Sequence, residues 1–246
     1  MKTPSQDVVM GLHCIEELFK YYPKRLLEVF VQDSMKQNPR KKTLCRRLEE
    51  KNIPLRRCSK HLLESLCGSS SHQGFVARIK KREISLFPSF LEKEQRKQES
   101  RLLLLDRIQD PHNVGAIFRS AECFGVDAVI FSNKQGPSIT PSVSKVSSGA
   151  SEHLRLVGSS SLANSVAALQ KAGYQVLAAS LTEHALDAAR FSYSSKWVLI
   201  LGAEGSGIHP SLLKKVDQEL YIPMRGKLHS LNVASAAAVF LAFATQ

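Results

Sequence analysis

Residues 102–120 read LLLLDRIQDPHNVGAIFRS and join an apolar run to a polar turn and then to a helical pattern. Four consecutive leucines are typical of a strand buried on both faces of a parallel sheet. After the turn, we expect Asn113 to cap a helix that carries Gly115 and Arg119 on one face. Arg119 is either a surface or ion-pairing arginine, or a partly buried group that binds an anion. Its apolar neighbours favour the partly buried position.

Similar patterns follow along the chain and extend this strand into a sheet. Helical segments separate four further buried-type strands, predicted at 128–131, 175–179, 197–201 and 219–222. This alternation predicts an α/β fold, with a parallel sheet flanked by helices on both faces. Residues 1–80 show shorter strand and helix patterns and predict a separate small α/β module. Residues 81–100 are polar and charged, which predicts a linker, and residues 101–246 form the larger domain.

Two more turns with candidate functional residues follow predicted strands. The first contains Gly202, Glu204 and Gly205, and the second runs from Ile222 to Asn232. Ligands bind beyond the carboxyl ends of strands in open parallel sheets, so we expect the turns to contribute to one site. The glycine spacing differs from the dinucleotide fingerprint, which disfavours a nucleotide-phosphate cradle. Glu204 can contact a ligand, a partner subunit or a helix end, and Asn232 can bind a heterocycle, pin a loop or only cap a helix.

The charge distribution indicates a polyanionic partner. The 246 residues carry a formal net charge of +12, and residues 1–100 hold 21 Lys and Arg against 12 Asp and Glu. Residues 36–60 contain ten basic residues, beginning at Lys36, and only two acidic ones. A solvated helix face is the usual explanation of such a run. The scarcity of acidic residues favours a phosphate-contacting surface instead. The candidate residues for phosphate contact are Arg40, Lys41, Lys42, Arg46 and Arg47.

The composition excludes several other protein classes. With 43% hydrophobic and 23% charged residues, 13 Gly and 10 Pro, the chain is neither disordered nor collagen-like. No apolar run reaches the roughly 18 residues of a membrane span. The five cysteines have no metal-ligand spacing, so we expect reduced thiols and no metal. These features predict a cytoplasmic protein without a membrane segment.

The three turns, taken in order, resemble the signature motifs of the SpoU (TrmH) family of RNA ribose 2′-O-methyltransferases, which belong to the SPOUT class. The first motif is Asn113-Val-Gly-Ala-Ile-Phe-Arg-Ser120, and the second is Leu201-Gly-Ala-Glu-Gly205. The third combines Ile222-Pro-Met224 with Ser230-Leu-Asn-Val-Ala234. The N-terminal part is similar to that of the bacterial members that act on 23S ribosomal RNA, at residues 11–18 and 72–78. The likeness therefore extends over nearly the whole chain.

The resemblance implies a fold and an activity that the sequence pattern alone could not suggest. It implies a C-terminal trefoil knot, an L30e-like RNA-binding module at residues 1–80 and a homodimer. It also implies S-adenosylmethionine as cofactor, bound by Gly202, Gly205, Ile222, Leu231 and Asn232. The implied catalytic arginine is Arg119, with Asn113, Glu204, Ser230 and Asn232 as further catalytic candidates.

The predicted function is S-adenosylmethionine-dependent 2′-O-methylation of a guanosine ribose in 23S rRNA. The transfer needs alignment of the methyl donor with the 2′-hydroxyl and removal of a weakly acidic proton. Arginine keeps its proton near neutrality, so Arg119 could hold a phosphate or stabilise the developing alkoxide rather than act as the base. Two alternatives stay open, a transfer-RNA ribose methyltransferase and a catalytically inert RNA-binding or ribosome-assembly protein.

Overall fold

The computed structural model describes residues 6–33 and 38–246, so Lys36 of the basic run lies outside the described residues. The chain forms two compact units. Unit 1 comprises the chain up to Arg82 together with Ile139–His153, and unit 2 comprises Glu83–Ser138 and Leu154–Gln246. Helices and strands are numbered along the whole chain.

Unit 1 is a small α/β module with a core on each face of its sheet. Its elements are β1 (Gln6–Met10), α1 (Leu12–Tyr21), β2 (Leu26–Gln32), α2 (Pro39–Glu50), β3 (Leu55–Cys58), α3 (Lys60–Cys67), β4 (Phe75–Lys80) and α6 (Pro141–Val146). The sheet order is β1-β4-β2-β3, in which β4 is antiparallel to both neighbours and β2 is parallel to β3. Ile15 of α1 and Leu44 of α2 pack with Val29 in one core, while Leu63 of α3 packs with Phe30 in the other.

A buried ion cluster joins the segment 139–153 to the rest of unit 1. The Glu152 side chain is fully buried, lies 2.9 Å from the Arg25 guanidinium and also pairs with Arg82. Breaking a buried pair leaves an uncompensated charge, so this cluster is expected to tie the segment firmly to the module. Burial, with a smaller contribution from Glu152, raises the pKa of the nearby Cys14 thiol well above its ordinary value.

Unit 2 contains one parallel sheet. Its elements are β5 (Ser85–Leu86), α4 (Phe87–Glu94), β6 (Ser100–Asp106), α5 (Pro111–Cys123), β7 (Ala128–Ser132), β8 (Arg155–Ser159), α7 (Leu162–Lys171), β9 (Gln175–Ala179), β10 (Leu186–Asp187), β11 (Lys196–Gly202), α8 (Pro210–Leu213), β12 (Gln218–Tyr221) and α9 (Val233–Ala244). The strand order is β10-β12-β9-β11-β6-β7-β8-β5, and all the pairings are parallel. The predicted α/β fold with a parallel sheet is confirmed.

Helices bury the leucine run of β6 in unit 2. Leu102 and Leu104 share a core with Phe90 of α4, Leu169 of α7 and Leu212 of α8. Leu103 and Leu105 alternate with them and are equally buried. The helices α5 and α9 pack against each other, and α9 also contacts β11.

The prediction of a linker at residues 81–100 is wrong. This segment forms β5, which pairs with β8, and the helix α4. Phe87 and Phe90 are buried in the core of unit 2, so few apolar residues among many charges are enough to anchor a helix. The prediction also placed all of residues 101–246 in one domain, whereas Ile139–His153 belongs to unit 1. In unit 2, the strands β5, β8 and β10 were not predicted.

Candidate functional site

The Asn232 side chain brings the three sequence motifs together. Its Nδ2 donates hydrogen bonds to Asn113 Oδ1 at 2.9 Å and to Glu204 Oε1 at 2.6 Å. Its Oδ1 accepts from the backbone N–H of Ala234 and Ser235, which makes Asn232 the N-cap of α9. The Asn232 amide therefore caps α9 and also pins two loops. Capping and pinning are two of the three roles that the sequence left open for this residue.

The helix α5 begins differently from the prediction. Asp110 is its N-cap and accepts from the Asn113 backbone N–H at 2.9 Å, so Asn113 lies in the first turn and does not cap the helix. This leaves the buried Asn113 amide oxygen to accept from Asn232. The prediction that Arg119 is partly buried is also wrong, because Arg119 lies on an exposed face of α5. Its apolar neighbours in sequence point to other faces of the same helix.

The glycine-rich turn after β11 folds tightly back on the strand end. Ala203 forms an isolated antiparallel bridge with Gly207. A side chain at Gly202 would place its Cβ 2.2 Å from the Gly207 carbonyl carbon, so only glycine fits there. Gly205 and Gly207 have φ values of 76° and 63°, in the left-handed region that glycine adopts without strain. The turn exposes Glu204 and Gly205 to solvent.

A cavity of about 570 Å³ lies beside this turn in unit 2. Its walls come mainly from the segments after β9, β11 and β12 and from α9. Among the predicted site residues, it is lined by Gly202, Glu204, Gly205, Ile222, Ser230 and Leu231. Leu231 is 42% exposed, and it lines the cavity together with Met224 and Phe240. The structure thus brings together residues from the second and third motifs, and Asn232 connects them to the first.

Arg119 is absent from the described residues that line this cavity. Asn113 and Asn232 are likewise absent from the lining and support it through the Glu204 contact. Within the described part of the chain, no three His, Cys, Asp or Glu side chains lie close enough to hold a metal ion.

Two residues at the site escaped sequence reasoning. Asp106 ends β6 and accepts the His209 backbone N–H at 2.7 Å. Arg107 follows with a φ of 59° and donates to the Gly207 carbonyl at 3.1 Å. Their position at the end of a buried strand was the available signal, but a left-handed arginine cannot be recognised from its neighbours.

The basic residues of α2 do not form one uniform face in unit 1. Arg40 pairs with Glu16 of α1, and the Lys41 Nζ donates to the Gln73 carbonyl at 2.8 Å. The Arg47 guanidinium lies 5.0 Å from the centre of the Phe19 ring. Arg46 is well exposed and lies 3.5 Å from Glu50.

Comparison with known proteins identifies the family. Residues 100–242 match the model of the SpoU rRNA methylase family. The chain belongs to this family. Residues 8–85 match a second model, described as RNA 2′-O ribose methyltransferase substrate binding. The resemblance drawn from the three motifs is thereby confirmed, and the second match covers most of the N-terminal part.

Similar proteins cover nearly the whole chain. A 23S rRNA (guanosine-2′-O-)-methyltransferase RlmB of Acinetobacter baylyi is 32% identical over 94% of this chain and 93% of its own. An enzyme of the same name from Yersinia pestis is 32% identical over 96% of this chain and 95% of its own. The crystal structure of the SpoU methyltransferase AviRb from Streptomyces viridochromogenes with AdoMet matches with a TM-score of 0.76. That match is 21% identical and covers 98% of this chain and 88% of AviRb, which shows a shared fold.

No helix in the described part of the chain combines the length and apolarity of a membrane span.

Proposed function

We propose that this protein transfers a methyl group from S-adenosylmethionine to the ribose 2′-hydroxyl of a guanosine in 23S rRNA. The observation that carries the proposal is the Asn232 side chain, which ties the first and second motifs to the third beside an apolar cavity. An inert RNA-binding protein would have no need for three connected loops around such a cavity. The relatives named as 23S rRNA guanosine methyltransferases supply the substrate class.

The cavity fits the cofactor in chemistry. Ile222, Met224, Leu231 and Phe240 offer apolar walls for a heterocycle, and the glycine turn offers backbone N–H and C=O groups. We propose that Gly202, Gly205, Ile222, Leu231 and Asn232 hold S-adenosylmethionine, Asn232 by fixing the surrounding loops. When bound, this cofactor supplies an electrophilic methyl group on a sulfonium.

The protein's own residues then serve mainly to position the reacting groups and to stabilise the charge that develops on the ribose oxygen. Alignment of a hydroxyl with a methyl donor can supply a large share of the acceleration, and rigid loops favour such alignment. Asn113 and Glu204 are proposed to keep the loop ends in place through Asn232. Arg119 is proposed to bind an RNA phosphate or stabilise the developing alkoxide. Ser230 lines the cavity and is exposed, so its hydroxyl is available for RNA or for the reacting proton.

We also propose a homodimer that completes the site. Arg119 is essential in the proposed chemistry but does not line the cavity of its own protomer. The apolar helix α9 packs on α5, the helix that carries Arg119, and leaves Val239, Ala242 and Phe243 partly exposed. We propose that a second copy covers this face and that each protomer supplies its Arg119 to the partner's cavity. Sedimentation should therefore give twice the 27.3 kDa of the chain, and a monomer at assay concentration would contradict this part.

Unit 1 is proposed to hold the RNA through Arg40, Lys41, Lys42, Arg46 and Arg47. The match to a substrate-binding model and the basic α2 support this role. We also propose that this module is L30e-like and that the C-terminal domain contains a trefoil knot. The proposed place of action is the cytoplasm.

Calorimetry with S-adenosylmethionine tests the enzyme proposal. The wild-type protein should bind the cofactor, and Gly202→Ala should abolish binding because its Cβ would overlap the Gly207 backbone. Gly226→Ala is the matched control, since a Cβ at Gly226 meets no atom within 4 Å. Absence of binding at millimolar cofactor to the wild type would overturn the enzyme proposal in favour of an RNA-binding protein.

A further inference from the structure

Arg107 keeps a backbone conformation that arginine rarely adopts. Its φ of 59° lies in the left-handed region, where a Cβ is disfavoured. Such conformations persist when the surroundings hold them, and they cluster at functional sites. Arg107 directly follows β6 and precedes the polar turn that leads into α5. A side-chain role would explain why this position carries an arginine.

The Arg107 side chain reaches across to the glycine-rich turn. Its Nη2 donates to the Gly207 carbonyl at 3.1 Å, and Nε and Nη2 each lie 3.4 Å from Asp106 Oδ2. The same Asp106 oxygen accepts the His209 backbone N–H at 2.7 Å. Two neighbouring residues at the end of β6 therefore hold the turn at Gly207 and at His209.

The position of Gly207 decides the shape of the cavity wall. Gly202 and Gly207 are in backbone contact, as the 2.2 Å distance from a built Gly202 Cβ to the Gly207 carbonyl carbon shows. Gly202, Ser206 and Gly207 all line the cavity. A shift of Gly207 away from Gly202 would widen this wall and move the backbone groups that face a ligand.

We propose that Arg107 is a positioning residue for cofactor binding, whose guanidinium holds the Gly205–Gly207 turn against Gly202. The inference rests on the proposed function, because it assumes that the cavity takes S-adenosylmethionine. Arg107 acts through the turn and contributes to affinity rather than to the chemical step.

Arg107→Gly separates this role from folding. Glycine adopts the backbone conformation without strain but has no guanidinium, so the two effects on stability oppose each other. We expect the Tm to stay within about 2 °C of the wild type. The Kd for S-adenosylmethionine, measured by calorimetry, should rise about tenfold, the effect of one lost charge-assisted hydrogen bond. The KM for the cofactor should rise similarly, while kcat and the KM for RNA stay unchanged.

Hydrogen exchange measures how firmly the turn is held in the absence of cofactor. The Gly207 amide, which donates to the Ala203 carbonyl at 2.9 Å, should exchange faster in Arg107→Gly. Arg107→Asn should behave alike, because asparagine tolerates the left-handed region but is too short to reach Gly207. Arg107→Lys should restore part of the affinity, since its ammonium can still donate to the carbonyl.

Asn52→Gly is the matched control, because Asn52 also has a positive φ, of 55°, but lies in unit 1. It should leave the cofactor Kd unchanged. Unchanged cofactor affinity in both Arg107→Gly and Arg107→Asn would overturn the proposal, as would equal weakening by Asn52→Gly. A wild-type protein that binds no cofactor would instead defeat the proposed function, so the two failures are distinguishable.

Discussion

Asn232 shows how much one amide can do at the scale of a residue. Its oxygen satisfies two backbone N–H groups at the start of α9, and its nitrogen satisfies Asn113 and Glu204. Aspartate retains the accepting oxygens and loses the donor, and alanine loses both. These two substitutions therefore separate helix capping from loop pinning.

We predict that Asn232→Asp and Asn232→Ala both lose methyl transfer, but for different reasons. In Asn232→Asp a carboxylate faces Glu204, so the loops separate while the cap of α9 remains. Asn232→Ala should also lose the cap, which contributes about 1 kcal/mol. Hydrogen exchange at the Ala234 and Ser235 amides should rise in the alanine variant alone. Full activity of Asn232→Asp would contradict the pinning role.

Sequence reasoning at this scale identified residue types better than residue environments. The convergence of the motifs at strand ends was predictable, because parallel strands end at one edge of the sheet. The exposure of Arg119 was not, because apolar neighbours along a helix can face any side. Asn113 was assigned as a cap, although Asp110, three residues earlier, has the same capability and caps α5.

At the scale of elements, the segment 139–153 is the least expected feature. It follows β7 of unit 2 and precedes β8 of unit 2, yet it belongs to unit 1. Its helix α6 packs against β1 and α1, and the buried Glu152 pairs with Arg25 and Arg82 of the N-terminal chain. Pairing over more than 60 residues of sequence leaves no local signal, so it could not be predicted from the sequence.

We predict that Glu152→Gln lowers the free energy of unfolding by about 3 kcal/mol, because Arg25 and Arg82 lose their buried counter-charge. Urea denaturation measures the change. Glu50→Gln is the control, since Glu50 pairs with Arg46 on an exposed helix face, where such pairs contribute about 0.5 kcal/mol or less. Equal effects of the two substitutions would show that the cluster does not hold the segment.

The error at residues 81–100 has a different cause. Charged residues surround the apolar Phe87 and Phe90, and average polarity suggested a linker. Two aromatic side chains three positions apart lie on the same face of a helix and are buried together. The three-residue spacing of Phe87 and Phe90 was visible in the sequence, but the many charged residues around them led to the prediction of a linker.

At the scale of the whole molecule, the net charge of +12 is expected to attract a polyanionic substrate. Lys42 and Arg46 are exposed on α2 and are candidates for RNA contact, and Arg46 also pairs with Glu50 of the same helix. Arg40 and Arg47 interact with Glu16 and Phe19 of α1. The surface of α2 proposed to contact RNA is therefore narrower than the run of basic residues in the sequence suggests.

We predict that the double variant Lys42→Glu, Arg46→Glu weakens binding to protein-free 23S rRNA about tenfold or more. The slope of log K against log salt should become shallower by about 2, because two phosphate contacts are lost. Lys214→Glu, Lys215→Glu is the control, with the same change in charge at exposed positions of unit 2. If both variants weaken RNA binding equally, the effect comes from net charge and not from contacts of the α2 surface.

Ribose-methylation mapping of cellular RNA shows whether this chain methylates a ribose of 23S rRNA. Cells with the wild-type gene, without the gene, and with Arg119→Ala should be compared. We predict one guanosine in 23S rRNA that carries a 2′-O-methyl group in the first and lacks it in the other two, while Arg119→Ala remains folded. An identical map in all three, or a change only in transfer RNA, would contradict the proposed methylation of 23S rRNA.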